Sequence, residues 1–211
     1  MDEFKTENID EQTENPKKKH SLIKNIVSWA LILLTAFVVS GLLKSFVIMP
    51  IEVQQQSMVP TFSEGDKLLL YRTGYFFESP KRGDVVVFTY SKGKYGKWIE
   101  MLPIENSGEL NYIKRVIGIA GDTIEFSEGH VVRNGEALDE PYANGETYGK
   151  EDDDVFVVPE GSIFVMGDNR EKSIDSREFG FVKLSSVKGK AVLRIWPFDA
   201  ISTVKSYPEV R

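Results

Sequence analysis

Ser57 stands in the run Gln54-Gln55-Gln56-Ser57-Met58-Val59-Pro60, where the stiff Val59-Pro60 pair bounds a loop able to present a hydroxyl rigidly. A serine hydroxyl becomes a nucleophile only with a base beside it. The chain has no cysteine and two histidines, His20 and His130. That excludes thiol nucleophiles, disulfides, Fe–S clusters and thiolate zinc, and argues against a multi-histidine metal site. His20 precedes an apolar helix and His130 falls in a predicted hairpin strand, which argues against a Ser-His-Asp triad. The remaining amine of interest is Lys114, inside Tyr112-Ile113-Lys114-Arg115-Val116-Ile117. An alternating strand places it on one face with Tyr112 and Val116. At an ordinary pKa near 10.4, only about 0.04% of a lysine is neutral at pH 7, so a lysine base must be desolvated.

A third segment, residues 167–177, packs Asp168, Arg170, Asp175 and Arg177 with Asn169, Ser173 and Ser176 directly behind the apolar run Ile163-Phe164-Val165-Met166. Charged and hydroxyl groups that begin where a core strand ends are placed as functional loops usually are, and the Ser173 hydroxyl could orient Lys114. Each segment also has a plainer reading: a turn-capping serine, an edge-strand lysine pointing to solvent, and a salt-bridged surface turn.

Elements able to position these groups are visible in the pattern. Residues 1–16 are polar and acidic without apolar periodicity, and read as a disordered tail. After Lys17, Lys18, Lys19 and Lys24 comes an uncharged run of nineteen residues, Asn25 to Leu43, about 28 Å long as a helix and close to the hydrocarbon thickness of a bilayer. No small-x-small cleavage site follows it, so it reads as a permanent anchor and not a removed leader. The basic flank argues for a cytoplasmic N-terminus and an outward-facing remainder. The expected organisation is a cytoplasmic tail at 1–20, a transmembrane helix at 21–49 and an extracytoplasmic β-rich domain at 50–211.

Beyond Pro50, short β-branched and aromatic runs alternate with Gly, Pro and Asp, predicting strands at 67–71, 84–90, 111–119, 123–126, 130–133, 154–158, 162–166 and 191–196. Asn134-Gly135 marks a type I′ hairpin turn. Short strands without intervening helices predict a mainly β, antiparallel, folded-sheet or barrel-like domain. Residues 91–111 form a long connection ahead of the lysine strand. The acidic stretch 150–154 lacks the spacing and turn glycine of a calcium loop and reads as solvated loop. A net charge of −6 argues against nucleic acid as a partner.

At these residues the sequence resembles the type I signal peptidases. The likeness runs through a serine box (Ser57-Met58-Val59-Pro60-Thr61), a Gly-Asp-Val box (Gly83-Asp84-Val85-Val86-Val87-Phe88), a lysine box (112–122) and the Gly-Asp-Asn box (167–180), in family order. The single span and short outer domain look like the Gram-positive form.

The resemblance implies a serine endopeptidase that removes signal peptides from exported preproteins after a small-x-small, Ala-x-Ala-like site. Ser57 would be the nucleophile and Lys114 the general base, with Ser173 hydrogen-bonded to the lysine and the Ser57 N–H in the oxyanion hole. Asp168, Asp175, Arg115 and Arg177 would form a supporting ion-pair shell. Neither metal nor organic cofactor is implied. Gln55, Met58 and Pro60 are the expected substrate-binding residues. Gln55-Gln56 departs from relatives that carry a hydroxyl or glycine ahead of the nucleophile, so Gln55 stands where a side-chain oxyanion donor would be. Self-cleaving repressor-type Ser-Lys proteases are disfavoured by the membrane helix and the lack of a DNA-binding segment. An inactive, anchored homologue that binds export substrates or assembles surface proteins is the other alternative, against which both Ser57 and Lys114 are retained.

Overall fold

A computed structural model describes residues 16–46, 48–72, 78–90, 110–151 and 154–207. The chain divides into two units, residues 1–44 and 45–211. In the first, helix α1 runs Pro16–Phe46. Its window Lys24–Gly41 is long and apolar enough to cross a membrane and has no buried residue. Ile26, Trp29, Leu33 and Phe37 are exposed around it, a distribution that suits hydrocarbon on every side. The tail at 1–15 and the greater part of the long connection, 91–109, lie outside the described residues.

The second unit is mainly antiparallel β. Its strands are β1 (Ile48–Glu52), β2 (Lys67–Tyr71), β3 (Val85–Tyr90), β4 (Leu110–Ile119), β5 (Thr123–Ser127), β6 (His130–Arg133), β7 (Glu136–Ala137), β8 (Phe156–Val157), β9 (Ser162–Met166), β10 (Val182–Lys183), β11 (Val187–Trp196) and β12 (Ser202–Thr203). The larger sheet has the order β1-β2-β11-β3-β4-β9-β10, with β12 on β11, and the smaller one β7-β6-β5-β8.

Strand β3 shows why the larger sheet is covered on both faces. Val85 and Val87 pack with Val53, Met58, Phe62, Leu68 and Leu70, whereas Val86 and Phe88 pack with Val116, Ile163 and Val165. A continuous apolar run, not an alternating one, is what a two-sided strand requires. A further cluster, including Ile117, Ile124, Val131, Phe164 and Met166, draws residues from both sheets. Asn134 and Gly135 have φ of 56° and 82° and join β6 to β7, as their turn preference predicts.

Several boundaries differ from the sequence pattern. Strand β11 begins at Val187, four residues earlier than expected, because its position between β2 and β3 pairs Val187 and Gly189 with β3 and Lys190 with both neighbours, drawing the unpromising Lys188-Gly189-Lys190 into the sheet. Gly189 is packed so closely that an added Cβ would lie 2.9 Å from the Tyr71 carbonyl oxygen. Strand β1 contains Pro50, tolerated because β1 is an edge strand. The expected strand at 154–158 contracts to the two residues of β8.

Candidate active site

Ser57 lies in a single 3₁₀ turn, Gln56–Met58, entered through an extended Gln55. The turn is pinned from within: Val53, Met58 and Phe62 are all buried in the first core cluster. The Val59 N–H donates to the Gln56 carbonyl at 3.2 Å and the Phe62 N–H to the Met58 carbonyl at 2.9 Å. Lys114 comes from the middle of β4, paired with Val86 of β3. Tyr112 and Val116 both pack on the third cluster, and the Lys114 Nζ stands 5.7 Å from the Tyr112 ring centroid, so the expected shared face is observed.

The two groups meet in a buried place. Lys114 Nζ donates to Ser57 Oγ at 2.6 Å, with Lys114 1% and Ser57 4% exposed. Burial pushes the Lys114 ammonium down from its ordinary 10.5 to about 8. The carboxylates of Asp175 and Asp168 pull it back up and Arg177 adds to the lowering, but desolvation is the largest influence.

Asp168 and Asp175 each have their own arginine. Arg115 clasps Asp168 with Nε at 2.9 Å and Nη2 at 2.7 Å, and stacks on the Tyr142 ring at 4.1 Å. Arg177 clasps Asp175 with Nε and Nη2, both at 2.9 Å. Asp175 also caps helix α2 (Ser176–Phe179) and accepts from the Gly167 N–H at 3.0 Å. Both carboxylates are fully buried, so two-pronged pairing is what makes their burial tolerable.

Other expected residues are placed differently. Among the described residues the buried Ser173 hydroxyl has no hydrogen-bond partner, so it does not bond Lys114 as the resemblance implied. Gly167 separates it from the serine turn: a Cβ there would overlap Ser173 Oγ and the Ser57 carbonyl oxygen. Met58 is 0% exposed in the core cluster and is not on an accessible substrate wall. The fixed 3₁₀ turn sends consecutive side chains in different directions, and Met58 takes the inward one. Gln55 and Pro60 are exposed. His130, in β6 of the smaller sheet, is an exposed strand residue.

Sequence reasoning missed much of the support. Arg170 reaches Glu140 with two hydrogen bonds of 2.7 Å, and also bonds Thr147 Oγ1 at 2.6 Å and the Gly167 carbonyl at 3.1 Å. Thr61 Oγ1 donates to Asp168 at 2.5 Å. Asn169 bonds the backbone on either side of Ser57. Arg170, Thr61 and Asn169 stood in segments already singled out. Glu140 and Thr147 carry no local signal, since their partner is far away in the chain.

Comparison with known proteins gives the family. A family model described as "Signal peptidase, peptidase S26" matches residues 26–196. Signal peptidase IB of Staphylococcus aureus (strain COL) is 31% identical over 192 residues, 83% of this chain and 92% of the relative. Probable signal peptidase I-1 of Synechocystis sp. is 36% identical over 169 residues, 79% of this chain and 80% of the relative. A crystal structure of a signal peptidase I from Enterococcus faecalis V583 is 32% identical and covers 54% of this chain and 97% of its own, with a TM-score of 0.39. A family match through both the apolar helix and the β domain, with relatives above 30% identity over most of their length, means that the chain belongs to the type I signal peptidases.

Proposed function

We propose that this signal peptidase cuts preproteins through a Ser57–Lys114 dyad, on the outer side of a membrane in which α1 is the anchor. The observation that carries the reading is the buried 2.6 Å contact between Lys114 Nζ and Ser57 Oγ. With the lysine brought to about 8, about a tenth of it is neutral at pH 7, and a neutral amine can accept the serine proton.

Ser57 Oγ then attacks the scissile carbonyl carbon as its proton passes to Lys114 Nζ, and the carbonyl π electrons move to oxygen. The Ser57 N–H stabilises that oxyanion. As the tetrahedral intermediate collapses, the C–N bond breaks and the Lys114 ammonium protonates the leaving amine. Water, deprotonated by the same lysine, releases the acyl group from Ser57. Residues with small side chains one and three before the cut, as in Ala-x-Ala, are the proposed substrate signature. The exposed Gln55 and Pro60 border the nucleophile turn and are the proposed substrate contacts.

Replacing Ser57 or Lys114 with Ala is expected to abolish cleavage of a signal-peptide substrate with membrane insertion unchanged. Retained cleavage in either variant overturns the dyad. The proposed topology puts residues 1–20 in the cytoplasm, the span within 21–49 and the β domain at 50–211 outside, following the lysine-rich flank. Protease added to wall-stripped cells should digest the β domain and spare the N-terminal tail; the opposite pattern reverses the orientation.

A further inference from the structure

Two hydrogen bonds bring Asn169 against the backbone on both sides of Ser57. Its side-chain Nδ2 donates to the Gln56 carbonyl oxygen at 3.1 Å, and its own N–H donates to the Ser57 carbonyl oxygen at 3.0 Å. The Gln56 oxygen also receives the Val59 N–H at 3.2 Å, so it is held from two directions. Cis peptide bonds occur among the described residues only before Pro60 and Pro197, so the Gln56–Ser57 unit is trans. In a planar trans peptide the C=O and the N–H point in opposite directions. Whatever fixes the Gln56 oxygen therefore fixes the Ser57 N–H.

We infer that Asn169 is a positioning residue for the oxyanion hole: by gripping the Gln56 carbonyl it aims the Ser57 N–H at the oxygen that becomes negative. This rests on the reading of Ser57 as nucleophile and deepens it. The grip is well anchored. Asn169 is 7% exposed, and its neighbours are tied to a separate loop, the Asn144 N–H donating to the Asp168 carbonyl at 2.7 Å and the Arg170 N–H to the Asn144 carbonyl at 2.9 Å. The Arg170 side chain is clamped in turn by Glu140 and Thr147. Gln55, on the other side of the turn, is exposed and caps nothing with its side chain. Orientation of the oxyanion donor thus falls to a residue 112 positions away in sequence from Ser57.

The test compares Asn169→Ala, which truncates the donor, with Asn169→Asp, which keeps the shape but cannot donate from an ionised carboxylate. Both are made in the full-length protein in detergent micelles. Removing an oxyanion donor outright typically lowers kcat by about 10²–10³-fold. A donor left in place but unaimed is expected to lower it by about ten- to a hundredfold. KM should stay within about twofold, because the interaction is made in the transition state. A substrate-like peptide aldehyde, whose adduct oxygen occupies the oxyanion position, should lose affinity in proportion to kcat/KM. In Asn169→Ala the midpoint of the pH–rate profile should not move, because Lys114 is untouched and no charge is added, whereas Asn169→Asp adds a carboxylate that should raise it, as Asp168 and Asp175 already do.

A kcat within twofold of wild type for the folded protein overturns the assignment. So does unchanged aldehyde affinity, or a midpoint that shifts along with the rate in Asn169→Ala. If Asn169→Asp fails to fold, Asn169→Ala and Asn169→Ser carry the comparison. Ser57→Ala, run in parallel, separates the two levels: cleavage by that variant sinks the dyad itself, whereas an inactive Ser57→Ala beside fully active Asn169 variants sinks only the positioning role.

Discussion

Arg115, the next residue after Lys114, is locked to Asp168 by two parallel hydrogen bonds of 2.9 and 2.7 Å, with both side chains fully buried. Its remaining donor, Nη1, reaches the carbonyl oxygens of Gly83 and Lys205 at 2.9 and 3.1 Å. The pair joins the strand carrying the lysine to the loop that backs the serine turn. It fixes where Lys114 stands without touching Ser57.

Removing one partner should leave a buried charge uncompensated. Arg115→Met is expected to destabilise the folded domain by about 3–5 kcal/mol, and adding Asp168→Asn should recover a substantial part of that loss. Urea unfolding of the single and double variants measures it. A single-variant loss under about 1 kcal/mol would show that the pair does not hold the site together.

Catalysis should depend on pH through Lys114. In the proposed dyad the active form is the neutral amine, so kcat/KM should rise as the proton leaves. The rise should centre near about 8, the value to which burial brings the group, and not near its ordinary 10.5. Below that midpoint the rate should fall about tenfold per pH unit. Steady-state cleavage of a signal-peptide substrate between pH 6 and 10 reports the midpoint, and a profile flat across that interval argues against a lysine base.

Gly167 occupies the narrow space between Ser173 and the Ser57 carbonyl, and an added Cβ would overlap both. Neither Gly167 nor the Ser57 carbonyl can retreat easily, since the Gly167 N–H is held by Asp175 at 3.0 Å and the Ser57 carbonyl by the Asn169 N–H at 3.0 Å. Gly167→Ala should push the nucleophile turn away from Lys114 and lower kcat by about 10²-fold, the scale of an ångström-sized misplacement. Single-turnover acylation is the direct measurement. A normal rate would mean that the turn tolerates displacement.

Much of this protein is legible in the chain itself because it depends on neighbours in sequence. The uncharged run from Asn25 to Leu43 specifies a helix of membrane length, and short β-branched and aromatic runs bounded by Gly, Pro and Asp specify most of the strands. Asn134-Gly135 specifies a hairpin through its own backbone preference. The segments around Ser57, Lys114 and Asp168 stand out by residue type alone. Tertiary structure decided what depends on contacts between residues distant in sequence. Strand β11, last of the long strands, sits between β2 and β3, which turns Lys188-Gly189-Lys190 into sheet. Ser57 and Lys114, 57 residues apart, meet at 2.6 Å. Arg170 finds Glu140, Asn169 finds the serine turn, Met58 turns inward and Ser173 is left unpartnered. The physical reason is range: backbone preference and side-chain alternation act over a few residues, whereas desolvation of a lysine or pairing of a buried carboxylate exists only once separate strands and loops have packed around it.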